Sequence, residues 1–292
     1  MIVGAGLKSR LYYNVSVFKR KTEGSVLCTS CGVLVGVNDP TCDNCGRRNP
    51  GLWGFGPALQ ALGNDLGFVN IVTGGTVIMY VLSLVMSRDG SQIGIEPNNV
   101  ALQVLGASGA GPVFGRGWWW TVLTAGWLHG GILHIFFNIL WIRQLGPSIA
   151  EMYGAGRMVI IFTVAGITGF AMSSVLGLIN IPFFGAGITV GASASIFGFL
   201  GALVHNGRRT GRSHVGQAGL QYALFMGVMG FIFRGVDNAA HLGGFLGGYI
   251  ASMILDPLKP ERVDHILIAV GCLVVTLAAI VYTVISALPY IR

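Results

Sequence analysis

Ser193 stands in the run Gly191-Ala192-Ser193-Ala194-Ser195-Ile196-Phe197-Gly198, and His241 opens the run His241-Leu242-Gly243-Gly244-Phe245-Leu246-Gly247-Gly248. Polar side chains in a bilayer cost on the order of a few kcal/mol unless they find partners. A hydroxyl and an imidazole can partner each other. The ring then takes the proton as the oxygen attacks a carbonyl, so the two are the halves of a hydrolytic dyad. A lone serine in such a run ordinarily serves close helix packing, but three further features raise this one. Phe197 lies one helical turn beyond Ser193 on the same face, where it can stack on an imidazole. Gly244 and Gly248 share a face with His241 and let a neighbouring backbone come close. His134 and Asn138, four residues apart in another apolar run, point one way and need partners in lipid. Aimed at a tetrahedral intermediate, those two side chains could serve as oxyanion donors.

These residues must be positioned by elements that cross a membrane. Of the 292 residues, 53% are hydrophobic and 10% charged, against about 25% charged in a soluble domain. Apolar runs of spanning length occur at 69–86, 128–145, 158–179, 190–204, 220–233, 239–255 and 266–288. The fourth and fifth are short and interrupted by Gly, which predicts helices shielded by their neighbours. Residues 88–120 form a long Gly-rich segment ending in Trp118-Trp119-Trp120, an interfacial anchor expected to lie on or partly in the outer leaflet. The stretch 46–68 reads as a linker with a short amphipathic piece near 57–66. Cys272 lies in an apolar run and reads as packing filler.

The net charge of +7 follows topology, and no nucleic-acid partner is expected. With the N-terminus inside, fourteen cations fall on the inner side: Lys8, Arg10, Lys19, Arg20, Lys21, Arg47, Arg48, Arg143, Arg157, Arg208, Arg209, Arg212, Lys259 and Arg262. Only Arg88, Arg116, Arg234 and Arg292 fall outside, which is the positive-inside pattern. The first residues carry cations without a long apolar core, so no cleavable signal peptide is read there. A multi-pass protein of a bacterial plasma membrane with a cytosolic N-terminus is expected. Ser193 and His241 then lie at similar depth in the outer part of the bilayer.

Cys28-Thr29-Ser30-Cys31-Gly32 and Cys42-Asp43-Asn44-Cys45-Gly46 form two CxxC pairs. Four thiolates so spaced suit a tetrahedral structural Zn2+ in a compact ribbon. The bland alternative is free thiols or a redox pair. Ten residues separate the two pairs, fewer than in the common zinc ribbon. Two CxxC pairs are a metal pattern of a reducing compartment rather than a secreted disulfide framework, and a cytosolic head agrees with the charge pattern.

The sequence resembles the rhomboid family of intramembrane serine proteases. The resemblance is carried by His129-x4-His134-x3-Asn138, Glu151-x2-Gly154-x2-Arg157, Gly191-Ala192-Ser193-Ala194 with Phe197-Gly198, and Ala240-His241-Leu242-Gly243-Gly244. It implies an all-α polytopic bundle: a rhomboid-like six-helix core and a C-terminal seventh helix. The expected organisation is a zinc-ribbon-like head at 1–50, a linker at 51–68, the core at 69–257 and the added helix at 258–292. The resemblance implies Ser193 as nucleophile and His241 as general base. It implies an oxyanion hole from the Ser193 and Ala192 backbone N–H groups with the His134 and Asn138 side chains, and a structural or accessory His129. It implies no cofactor for catalysis, transmembrane protein substrates and a lipid bilayer. Two positions depart from the family. Ala194 replaces a frequent Gly, and Trp120-Thr121 stands where the family often has Trp-Arg, with Arg116 a possible replacement anchor.

Gly106-Ala107-Ser108-Gly109 repeats the family's serine motif, but it lies in the Gly-rich segment and no fixed frame is expected for Ser108. Ser195 faces away from Ser193 and reads as packing. Asp237 reads as the cap of the helix bearing His241. Two other readings are a rhomboid-like protein that binds membrane clients without cutting and a transporter. Both oxyanion side chains beside serine and histidine weigh against the first. The second predicts midplane charges and a duplicated half, neither of which is visible.

Overall fold

A computed structural model describes residues 20–29, 31–60, 62–87, 95–179, 181, 184–233 and 235–290. It divides into two compact units, 1–67 and 68–292. Lys8, Arg10, Lys19, Ser30, Arg88, Arg234 and Arg292, used above, lie outside the described residues.

In the first unit β1 (Ser25–Leu27) pairs antiparallel with β2 (Leu34–Gly36), Val26 opposite Val35. The hairpin buries Val26, Val35 and Val37 against Cys28 and Cys42. A single helical turn, α1 (Gly56–Gln60), follows.

The second unit is helical. In chain order it contains α2 (Phe68–Met86), α3 (Asn99–Val104), α4 (Thr121–Thr124), α5 (Ile132–Tyr153), α6 (Ala155–Leu178), α7 (Ser193–Thr210), α8 (Ser213–Ile232), α9 (Asn238–Ile254) and α10 (Val263–Ala287). Four of these, α2, α6, α8 and α10, are long and apolar enough to cross a membrane, and α4 with α5 makes a fifth candidate bent by 95°. The mostly helical membrane fold agrees with the expected class.

Helices α6, α7 and α9 form the tightest part of the bundle, and small residues make this possible. A Cβ on Gly244 would overlap the Ala194 carbonyl, and one on Gly248 would overlap backbone at Gly198. Thr168 of α6 donates to the Gly243 carbonyl at 3.0 Å. At the far end, Arg157 donates to the carbonyls of Asp256 (2.8 Å) and Lys259 (2.9 Å), holding the chain that leaves α9. Charge-assisted hydrogen bonds of this kind contribute about 1.5–3 kcal/mol each. Arg209 and Asp256 form an ion pair nearby at 3.0 Å, and this pairing lowers the Asp256 carboxyl below its ordinary range.

Several expectations need correction. The shielded helix beside α7 is α9, not α8: only Gly219 and Gly230 of α8 are buried. Gly interrupts α8 without burying it: Gly216 and Gly219 face α7 and Gly230 meets Asn238, but Gly227 faces open space and the large side chains face outward. Helix α5 starts at Ile132, so His129 lies in the bend before it. The Gly-rich segment is packed: Leu105, Ala107 and Ser108 are fully buried. Ser108 therefore has a fixed frame after all. Its backbone pairs with Thr189, and its hydroxyl lies 3.4 Å from that of Thr121.

Candidate active site

Helix α7 begins at Ser193 itself, after Ala192 in the cap position. The start is fixed from outside the helix. Gly191 donates its N–H to the Ala125 carbonyl at 2.9 Å and has φ 122°, a conformation that favours glycine. A Cβ there would lie 2.5 Å from His134 Nε2, so glycine also admits the imidazole. The first N–H groups of a helix have no partner four residues back. The ladder of α7 is closed by Ile196 N–H donating to Ala192 O, which leaves the N–H groups before it without ladder partners. They surround the Ser193 hydroxyl with the positive end of the helix dipole.

Helix α9 begins at Asn238. The Asp237 carboxylate accepts from Ala240 N–H at 3.0 Å, a cap contributing typically about 1 kcal/mol. Ser173 of α6 donates its hydroxyl to the other Asp237 oxygen. Asp237 is thus the cap expected of it, and it also ties the first turn of α9, which carries His241, to α6. Sequence reasoning missed Ser173. Its only signal was a hydroxyl in the third apolar run, a position usually taken by packing residues.

Between these two helix starts, His241 Nε2 lies 2.9 Å from Ser193 Oγ. The imidazole stacks on Phe197 with centroids 4.1 Å apart and planes at 13°. His241 is buried, while Ser193 is partly accessible. Among the described residues His241 Nδ1 has no hydrogen-bond partner. Ring orientation therefore comes from stacking and packing, not from a third, acidic residue. An aromatic pair of this kind contributes about 0.5–1.5 kcal/mol beyond burial. For Nε2 to accept the serine proton, the proton of neutral His241 must sit on Nδ1.

His134 reaches the same place from α5, its Nδ1 accepting from Gly130 N–H at 3.4 Å. Its ring meets that of the buried His129 edge-on at 5.0 Å. Asn138 donates through Nδ2 to the His134 carbonyl at 2.8 Å, and its Oδ1 is buried without a partner. One Nδ2 hydrogen is thus engaged within α5, and among the described residues no partner takes the second. Ser195 donates to the Phe162 carbonyl at 2.8 Å, facing away from the dyad as expected. Thr121, where the family often has Arg, is buried and donates to Trp118 O at 2.7 Å. Arg116 lies over the Trp118 ring at 4.8 Å.

A family model described as "Rhomboid domain" matches residues 116–257. The chain contains a rhomboid domain. It is 33% identical over 165 residues to rhomboid protease GluP of Bacillus subtilis, covering 56% of this chain and 31% of that one. It is 31% identical over 165 residues to RHOMBOID-like protein 7 of Arabidopsis thaliana, covering 55% and 50%. It is 29% identical over 183 residues to Rhomboid-like protease 3 of Toxoplasma gondii, covering 61% and 65%. The chain thus spans less than two thirds of these relatives. The rhomboid domain contains both helix starts described here. The head and α10 lie outside residues 116–257.

The four head cysteines form a second cluster, their sulfurs all within 4.8 Å of one another. Cys28 and Cys45 are 3.7 Å apart, and Cys31 and Cys42 3.6 Å. Zinc–sulfur bonds of about 2.3 Å in a tetrahedron put sulfurs about 3.8 Å apart, so the donor set fits such an ion. The Asn44 side chain, with the Val33 backbone, lowers the Cys31 thiol to about 6. At Cys45 the Arg47 backbone hydrogen bond lowers the pKa, but burial and the neighbouring thiols outweigh it and raise Cys45 to about 11. One thiolate forms readily and opposes the next, an opposition that a divalent cation would remove.

Proposed function

We propose that this rhomboid-domain chain is a serine endopeptidase that cleaves transmembrane segments of other membrane proteins. The observation that carries this is the 2.9 Å contact between Ser193 Oγ and a His241 ring stacked on Phe197. Ser193 Oγ attacks the scissile carbonyl carbon while His241 Nε2 takes the hydroxyl proton. The carbonyl oxygen becomes an oxyanion, met by the Ser193 and Ala192 N–H groups, His134 and the second Asn138 Nδ2 hydrogen. Collapse breaks the C–N bond, and the His241 proton goes to the departing amine. Water then attacks the acyl-serine ester, giving its proton to His241, and the acid leaves as that proton returns to Ser193 Oγ. The burial of the dyad requires water to arrive through a protein-lined path.

The N-terminus lies in the cytosol of a bacterial cell and the dyad opens to the outer side, a reading supported by the charge distribution. The head binds one structural Zn2+ through Cys28, Cys31, Cys42 and Cys45. The deciding test is a fluorophosphonate probe on the purified protein. It should label the unsubstituted chain and leave His241→Ala unlabelled; equal labelling of both would remove the proposal.

The oxyanion assignment makes a separate prediction. His134→Ala and Asn138→Ala should each lower kcat on a transmembrane model substrate by about 10- to 1000-fold, with KM little changed. A loss confined to the amount of folded protein would mark both as structural.

A further inference from the structure

The second copy of the serine motif, Gly106-Ala107-Ser108-Gly109, has no nucleophilic part in this chemistry, yet it is built into the fold beside the chain that leads to Ser193. Ser108 N–H donates to Thr189 O at 3.0 Å, and Thr189 N–H returns the bond to Ser108 O at 2.7 Å. Ala110 N–H donates to Ala186 O at 3.0 Å, and Gly111 N–H to Gly187 O at 3.3 Å. Four backbone bonds thus clamp residues 186–189, immediately upstream of Gly191 and the start of α7. Side chains at this seam would block it. Gly109 has φ 128°, and a Cβ there would lie 2.5 Å from the Gly187 carbonyl.

The clamp is itself held from α10. Tyr282 meets Trp120 edge-on at 5.0 Å, and Trp120 is followed by Thr121, whose hydroxyl lies 3.4 Å from that of Ser108. Thr124 donates to the Gly106 carbonyl at 2.7 Å. A Cβ on Gly106 would lie 3.1 Å from Thr283 Cγ2 of α10. Both the 106–111 segment and α10 lie outside the matched rhomboid domain.

We infer that residues 106–111, braced by Tyr282 and Thr283 of α10, are a positioning element that sets the Gly191–Ser193 backbone for the reaction. The inference rests on the Ser193–His241 reading. It explains why a membrane helix outside the matched domain packs on a glycine-rich segment. A single extra helix fixes Trp120 and Gly106, they fix Ser108, and Ser108 fixes Thr189, four residues before the nucleophile. Gly109 and Tyr282 touch neither dyad residue, so their effects must pass through backbone position.

The test uses the full chain, a fluorophosphonate probe and hydrogen exchange. The second-order labelling rate per folded molecule should fall about 10-fold or more in Gly109→Ala, the scale expected for misplaced donors. It should fall measurably in Tyr282→Ala and return in Tyr282→Phe, which keeps the ring. Leu277→Ala, on the exposed face of the same helix, should label like the unsubstituted chain. Backbone exchange in the peptide covering 184–193 should quicken in Tyr282→Ala while that of α6 stays slow. If Gly109→Ala fails to insert, the Tyr282 pair decides. A Tyr282→Ala protein that melts earlier but labels at the full rate, with unchanged exchange at 184–193, overturns the inference and leaves the dyad intact. An unlabelled wild-type chain overturns the dyad reading and this one together.

Discussion

Ser193→Ala is expected to abolish cleavage of a transmembrane model substrate while the protein still inserts and melts as a folded bundle. In the proposed mechanism the hydroxyl is the attacking group, and removing it leaves only substrate binding and oxyanion stabilisation, so a loss of at least about 10³-fold is expected. His241→Ala should be as damaging, because an alkoxide cannot form at neutral pH without the 2.9 Å base. Ser193→Ala/His241→Ala should be hardly worse than either single change, since residues that act as one unit are strongly non-additive. Multiplicative losses in the double variant would mean that the two side chains act separately. Full activity in Ser193→Ala with loss in Ser108→Ala would move the nucleophile to the other copy of the motif. The contact of the Ser108 hydroxyl with Thr121 and its full burial argue against that outcome.

Much of this site could be read before the fold was known, because polar groups stand out in apolar runs. Ser193, Phe197 and His241 lie at helical spacings on two segments, and Gly244 and Gly248 mark where those segments touch. The same logic identified Asp237 as a cap, since an acid just before an apolar run is an N-terminal signal. The bundle's limits were harder to read. Hydropathy placed the second span four residues before α5 begins, because Leu128 and Trp127 are as apolar as helix residues although they belong to a 95° bend. Run length and Gly content also marked α8 as shielded, whereas lipid-facing and protein-facing glycines look alike in sequence.

The segment between α2 and α5 was the least legible part. Glycine and turn residues suggested a loosely held loop, but burial here follows neither the helical nor the strand period. It is held by hydroxyl-to-carbonyl bonds, Thr121 to Trp118 and Thr124 to Gly106, and by pairing with residues about eighty positions later. A threonine has no local signature that says which carbonyl it will meet. The departure from Trp-Arg to Trp120-Thr121 has a structural setting here: Thr121 is fully buried, its hydroxyl on the Trp118 carbonyl beside Ser108. Ser193 and His241 were readable from local chemistry, and the backbone pairing of residues 108–111 with 186–189 was not.

Zinc removal should unfold the head and spare the chemistry. The hairpin core consists of Val26, Val35 and Val37 with Cys28 and Cys42, too little apolar surface to offset the entropy of ordering the chain. Structural zinc in comparable small sites supplies an apparent binding energy of about 10–16 kcal/mol at neutral pH, so a zinc bound as proposed would decide whether this unit is folded. Metal analysis of the full chain should give one zinc per molecule, and Cys31→Ser or Cys42→Ser should lower it sharply. A strong chelator should make residues 20–55 exchange their backbone hydrogens rapidly. Over the same interval the fluorophosphonate labelling of Ser193 should stay within about twofold, because the described partners of Ser193 and His241, each other and Phe197, belong to the second unit. A chain lacking residues 1–67, the whole first unit, should behave like the chelated protein. Fast alkylation of all four thiols in untreated protein would show that the cluster holds no metal. Loss of labelling in correctly inserted protein after chelation would show instead that the head is coupled to the dyad, and the independence of the two units would fall.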